Sequence, residues 1–121
     1  MGYNITIEKE KGATVMAALN IDRIKFEQLI NGDKPVLVDY WAPWCGYCRR
    51  IGPVFDRVAE QYSDVLEAVK INIDDEEALS DEQGIDIIPA LILYKNGQAV
   101  ASVVNPSSKA AIDSFIAENM P

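Results

Sequence analysis

Two spacings of apolar residues alternate along this chain, and each change of spacing marks the end of one element and the start of another. The run Pro35-Val36-Leu37-Val38-Asp39-Tyr40-Trp41 is apolar at nearly every position, as expected of a short strand buried on both faces. Beyond Cys45, the residues Ile51, Val54, Phe55, Val58 and Tyr62 recur at helical spacing to about Gln61. Pro53 inside that pattern is predicted to kink the helix, because it lacks an N–H and crowds the preceding turn. An earlier helical stripe, Ile24, Phe26, Leu29 and Ile30, lies between Asp22 and Asn31-Gly32. Val65 to Ile73 reads as a second strand, and the acids Asp74 to Glu77 suit the first turn of a short helix that Gly84 stops. Ala90 to Tyr94 and Ala99 to Val104 are predicted strands joined through Lys95-Asn96-Gly97, a strong hairpin signal. Asn105-Pro106 then opens a last helix with Ile112, Phe115 and Ile116 inward, Pro106 fitting its first position. Ahead of all this, Ile5 and Ile7 alternate with polar neighbours and Thr14 to Leu19 leans apolar, so a strand or loose hairpin is plausible there. The order implies an α/β fold, a central mixed sheet flanked by helices on both faces.

Composition narrows the function without choosing it. At 121 residues the chain has the size of one domain that needs no metal or disulfide framework to hold its core. A formal net charge of −8 argues against nucleic acid or an anionic membrane surface as a partner. The first residues lack the basic segment and apolar core of a signal peptide, and no run approaches a membrane span. A cytoplasmic protein is therefore expected; a periplasmic home stays open if a leader has been removed.

The chemistry sits in Trp44-Cys45-Gly46-Tyr47-Cys48, which carries the only two cysteines. Where a strand gives way to a helix, Cys45 falls at or next to the helix N-terminus, where free N–H groups and the dipole favour a thiolate. Residues three apart on a helix have β-carbons roughly 5–6 Å apart, within reach of a disulfide after a small adjustment. One sulfur can attack and the other resolve. A static bridge is the duller alternative, but closing so short a loop stabilises little. A tetrahedral zinc site is excluded within one chain, since two cysteines and no histidine cannot supply four ligands. Cys48, one turn in, is expected to be the more buried. Its proton needs an acceptor, and Asp39, an acid interrupting an apolar strand, is the candidate, with a pKa raised by burial.

Val36 to Cys48, Lys70-Ile71-Asn72-Ile73-Asp74, Gly84-Ile85, Ile88-Pro89 and Tyr94-Lys95-Asn96-Gly97 occur in the order and spacing of the thioredoxin family. The resemblance runs from about Ile21 to the C-terminus, so residues 1–20 read as an N-terminal extension or added strand and 21–121 as a thioredoxin domain. It implies the thioredoxin fold and a protein-disulfide oxidoreductase that reduces its substrates by dithiol–disulfide exchange. By resemblance, Asp39 is the proton acceptor behind the pair and Lys70 its lysine partner; a snorkelling surface lysine is the duller alternative for Lys70. Trp44 would belong to the contact surface and Trp41 would pack beneath it, with Pro53 as structural support. Gly46 lets a substrate backbone come close. Ile88-Pro89 matches the family's cis-proline, which faces the cysteines and offers the Ile88 backbone to an extended substrate. No organic cofactor is implied. The expected partners are disulfide-bearing clients and a reductase of the thioredoxin-reductase type, and a monomer is expected.

Several positions depart from the family pattern. Tyr47 replaces a proline and restores a backbone N–H near the Cys45 sulfur, which should stabilise the thiolate and make the couple more oxidising. Ile87 replaces a glycine, Ala90 a threonine, and Asn105-Pro106 a glycine-containing loop, so the partner groove should be narrowed or reshaped. A disulfide oxidase or isomerase is accordingly the alternative activity, and a thioredoxin-like binding module the alternative class.

Overall fold

The structure, a computed structural model, describes residues 17–120. The expectation of a strand or hairpin around Ile5 and Ile7 lies outside the described residues, as does most of Thr14–Leu19. Among the described residues the elements are β1 (Leu19–Asn20), α1 (Arg23–Ile30), β2 (Val36–Trp41), α2 (Gly46–Gln61), β3 (Glu67–Asn72), α3 (Glu77–Glu82), β4 (Ala90–Lys95), β5 (Gln98–Val104) and α4 (Lys109–Asn119). The strands form one mixed sheet in the order β1-β3-β2-β4-β5. β1 and β2 both run parallel to β3, while β2/β4 and β4/β5 are antiparallel.

The central strands β2 and β4 are buried along almost their whole length, which explains their uninterrupted apolar sequences. Because successive side chains point to opposite faces, each central strand feeds two cores. Leu37, Leu91 and Leu93 pack with Ile51, Phe55 and Val58 of α2 and Ile112, Phe115 and Ile116 of α4. Val36, Val38, Tyr40, Ile92 and Tyr94 pack with Phe26 of α1 and Leu79 of α3. Asp39 shares the parity of Leu37 and therefore points to the α2 face. The register pairs Asp39 with Lys70 on β3, and Lys70 alternates with Val69 and Ile71 of the opposite core. Both ionisable side chains are thus set beneath α2.

Local signals explain most boundaries. Asp22 caps α1 by accepting from the Lys25 N–H at 2.9 Å. Asn96 and Gly97 both adopt positive φ, 54° and 82°, as a two-residue hairpin turn requires. α2 continues across Pro53 to Gln61. The last helix corrects the sequence reading. It starts at Lys109, not at Pro106, because the Ser108 hydroxyl accepts the Ala111 N–H at 3.1 Å and so caps the first turn. Pro106 is instead buried in the preceding turn, where Asn105 takes a φ of 47° and donates its N–H to the Pro89 carbonyl at 2.9 Å.

Candidate active site

β2 delivers the chain to α2 through Ala42-Pro43-Trp44, and Cys45 is the N-cap of that helix. Cys45 and Cys48 are disulfide-bonded, with Cα atoms 5.2 Å apart. The Cys45 sulfur is also the capping acceptor, receiving the Cys48 N–H at 3.1 Å. This differs in one respect from the sequence reading: the N–H that reaches the sulfur belongs to Cys48, not to Tyr47. A cap reaches the N–H of the second or third helical residue, and Cys48 is the third. Helix dipole and hydrogen bond both favour negative charge on Cys45 once the bridge opens. Cys48 is more deeply buried than Cys45, 3% exposed against 9%.

Trp41, Ile73 and Ile88 pack around Ala42 and the two cysteines. The half-buried Trp41 donates its indole N–H to Asn20 at 2.7 Å, which joins the site to edge strand β1. Trp44 is exposed and its indole N–H points at the Asp74 carboxylate, 3.2 Å away. The Ile88–Pro89 peptide is cis, and the Ile88 carbonyl oxygen lies 4.0 Å from the Cys45 sulfur. Tyr47 and Ile87 are both exposed. A Cβ at Gly46 would meet nothing within 4 Å, so no contact inside the described chain requires glycine there. The open space adjoins Cys45, the preceding residue. Pro53 is solvent-facing in the second turn beyond the pair, and Asn105 sits across the groove from Tyr47.

Behind the pair, a cavity of about 270 Å³ is lined by Cys48, Asp39, Lys70, Trp41, Gly52 and Asn20, with Arg49 at its edge. Asp39 is 1% exposed, and none of the described residues hydrogen-bonds its Oδ1. Burial pushes its carboxyl up to about 7, against the pull of Lys70 and with some help from Asp56. Lys70 does not close an ion pair with Asp39. Its ammonium binds Asp56 Oδ1 at 3.1 Å, both side chains being partly solvated. A carboxylate that keeps some water ionises more easily than one sealed under a helix, so it captures the cation. Asp56 also accepts the Ala18 N–H at 3.0 Å. Sequence reasoning missed this residue, although a signal existed: Cys48, Gly52 and Asp56 are spaced four apart and so share one face of α2.

A dithiol at a helix N-terminus, backed by a buried carboxyl and faced by an open backbone edge, is equipped to exchange disulfides. On this mixed five-stranded sheet, the arrangement defines a thiol–disulfide oxidoreductase with the thioredoxin fold. The family model described as Thioredoxin matches residues 17–118. The chain is 46% identical over 90 residues to the thioredoxin of Porphyra purpurea, covering 74% of this chain and 84% of that one. It is 41% identical over 103 residues to the thioredoxin of Haemophilus influenzae, covering 84% and 96%. The crystal structure of Malassezia sympodialis thioredoxin superimposes with a TM-score of 0.78 at 31% identity, covering 86% of this chain and 91% of that one. The chain belongs to the thioredoxin family. It reduces protein disulfides by dithiol–disulfide exchange through Cys45 and Cys48, and its family pairs disulfide substrates with a reductase in general.

Proposed function

We propose that Cys45 is the attacking sulfur, Cys48 the resolving one and Asp39 the proton acceptor of the second step. The Cys45 thiolate displaces one sulfur of the client disulfide, forming a mixed disulfide and releasing a client thiolate. Cys48 then passes its proton to the Asp39 carboxylate across the shared cavity and attacks the Cys45 sulfur. The second client thiolate leaves, the Cys45–Cys48 bridge forms, and the client has gained two electrons. The observation that carries this reading is the buried Asp39 carboxyl sharing a cavity with Cys48, with a pKa near 7. Such a group is ionised often enough at neutral pH to accept a proton and basic enough to hold it. Lys70, held by Asp56, supplies the nearby positive charge that keeps the carboxylate accessible. Trp44, Gly46, Tyr47, Ile88, Pro89 and Asn105 form the face met by the client, and Trp41 and Pro53 support it.

The reductant acts in the cytoplasm as a monomer of one thioredoxin domain, recycled by a thioredoxin-reductase-type donor. Trapping tests the assignment. Cys48→Ser should accumulate a mixed disulfide between Cys45 and a chain of disulfide-linked insulin, whereas Cys45→Ser should form none; capture through Cys48 would overturn the roles.

A disulfide oxidase or isomerase is the second reading, favoured by one observation: Tyr47, exposed at the second helical position, leaves its N–H in the helix-terminal field where a proline would have none. A reduction potential above about −270 mV is expected from it. Equilibration with glutathione measures the potential, and a value at or below that figure rejects the second reading.

A further inference from the structure

The thiolate chemistry does not account for the pocket on the other side of Pro89. This pocket, of about 190 Å³, lies between the start of α2 and the β5–α4 turn, with Ile51, Pro89 and Pro106 as its apolar floor and walls. Its shape is held by the Asn105 N–H bonded to the Pro89 carbonyl at 2.9 Å. At its mouth the Arg50 guanidinium lies over the Tyr47 ring, 4.9 Å from the centroid.

We propose that this pocket is a specificity subsite that takes an acidic side chain of the disulfide client, with Arg50 as the residue that selects it. A guanidinium held over an aromatic ring keeps N–H donors that match the two oxygens of a carboxylate. Among the described residues no carboxylate lies within ion-pairing distance of Arg50; the same holds for Lys25, Arg49, Arg57 and Lys95, but Arg50 is the cation that lines this pocket. Arg49, its neighbour, faces the other way and donates to the Pro43 carbonyl at 3.0 Å. In a chain of net charge −8, a cation without an acidic partner at the mouth of this pocket is a local reversal of the surface field. Tyr47 therefore has a second consequence beyond its N–H: it supplies the platform on which Arg50 is organised.

The reach is consistent with one client position. Arg50 is five residues beyond Cys45, roughly 7.5 Å along the helix axis. Two to three extended residues at about 3.3 Å each span that distance. The selected acid is accordingly two or three residues from the client cysteine that Cys45 attacks.

Three fluorogenic disulfide peptides, identical except for Glu, Gln or Lys two residues from the cystine, provide the test, with dithiothreitol recycling the full chain. The Glu peptide should exceed the Gln peptide in kcat/KM by about threefold or more, with Lys last. Arg50→Gln should bring the three together, and Arg50→Glu should place Lys first. Raising the salt should shrink the preference of the unaltered chain. Equal rates on the three peptides, a Glu preference that survives Arg50→Gln, or one indifferent to salt would each overturn the subsite. Turnover of the Gln peptide reads disulfide exchange itself, so a flat preference in an active protein counts against the subsite alone.

Discussion

The two faces of the central sheet bury polar groups on opposite terms. Under α1 and α3, the hydroxyls of Tyr40 and Tyr94 meet at 2.8 Å, and Tyr94 donates onward to Gln83 at 2.7 Å. That chain of hydroxyls is complete, and burial holds both phenols above their ordinary range, Tyr94 at about 12. They stay neutral at any physiological pH. Under α2, Asp39 is buried as deeply, yet one of its oxygens has no partner among the described residues and its carboxyl titrates near 7. A satisfied buried polar group rigidifies a core, whereas an unsatisfied one costs stability and stays reactive. The opposite-face cores share β2 and β4, so the same two strands carry structure on one side and chemistry on the other.

Replacing Asp39 should break this contrast most strongly. Its carboxyl has an ordinary value of 3.8 and a folded value of about 7. Between those pH values the folded chain holds a proton that the unfolded chain has released, so stability falls as pH rises from about 4 to about 7 and then levels off. Three pH units correspond to about 4 kcal/mol. Asp39→Asn should therefore raise the unfolding free energy obtained from denaturant titration at pH 8, by an amount on the order of that value, and change it little at pH 4. The same variant should prolong the mixed disulfide roughly a hundredfold near pH 8 and remove the inflection near 7 from its decay. A variant less stable than its parent at pH 8 would contradict the account.

The opposite face should respond in the other direction. Tyr94→Phe leaves Tyr40 and Gln83 without their shared hydroxyl, and about 1–3 kcal/mol of stability should be lost at every pH between 5 and 8. Insulin reduction at a temperature where the variant is folded should keep its rate. A pH-dependent loss would mean that the tyrosine pair is coupled to Asp39 after all.

Asp56→Asn sharpens the comparison from within the active face. Asp56 repels charge on Asp39 and also holds Lys70, which attracts it. Removing it should lower the inflection in mixed-disulfide decay, by up to about one pH unit, since Lys70 is then free to turn toward Asp39. An upward shift would show that Asp56 positions the lysine for Asp39 more than it competes for it. An effect no larger is expected at Tyr47, where Tyr47→Pro should lower the reduction potential by up to about 30 mV, which corresponds to 1.4 kcal/mol. A potential that rises would remove the argument for a more oxidising couple.

What the sequence could reveal followed from how local its signals were. The two cysteines, the Asn96-Gly97 turn and the unbroken apolar strands each depend on neighbours within a few residues, and the fold class followed from their order. Asp39 was legible because an acid between Val36-Leu37-Val38 and Tyr40-Trp41 has no solvent to meet. Asp56 was not, because an acid beside Phe55 and Arg57 looks like the solvated side of a helix. Only the crossing of α2 over β3 gives it Lys70. The start of α4 was misread for a related reason: proline at 106 and serine at 108 are both start signals. Which one wins depends on the turn at Asn105 and its bond to Pro89.

The Cys45 sulfur ends α2 as well as reacting, so one atom serves the sixteen-residue helix and the client in turn. Whenever a substrate is attached to that atom, the first coil of the helix is held by a neutral acceptor; when the substrate departs reduced and the bridge is later opened, an anion takes its place. Deuterium uptake at a single amide, that of Cys48, should consequently slow in the electron-loaded protein, making the backbone itself a gauge of charge state.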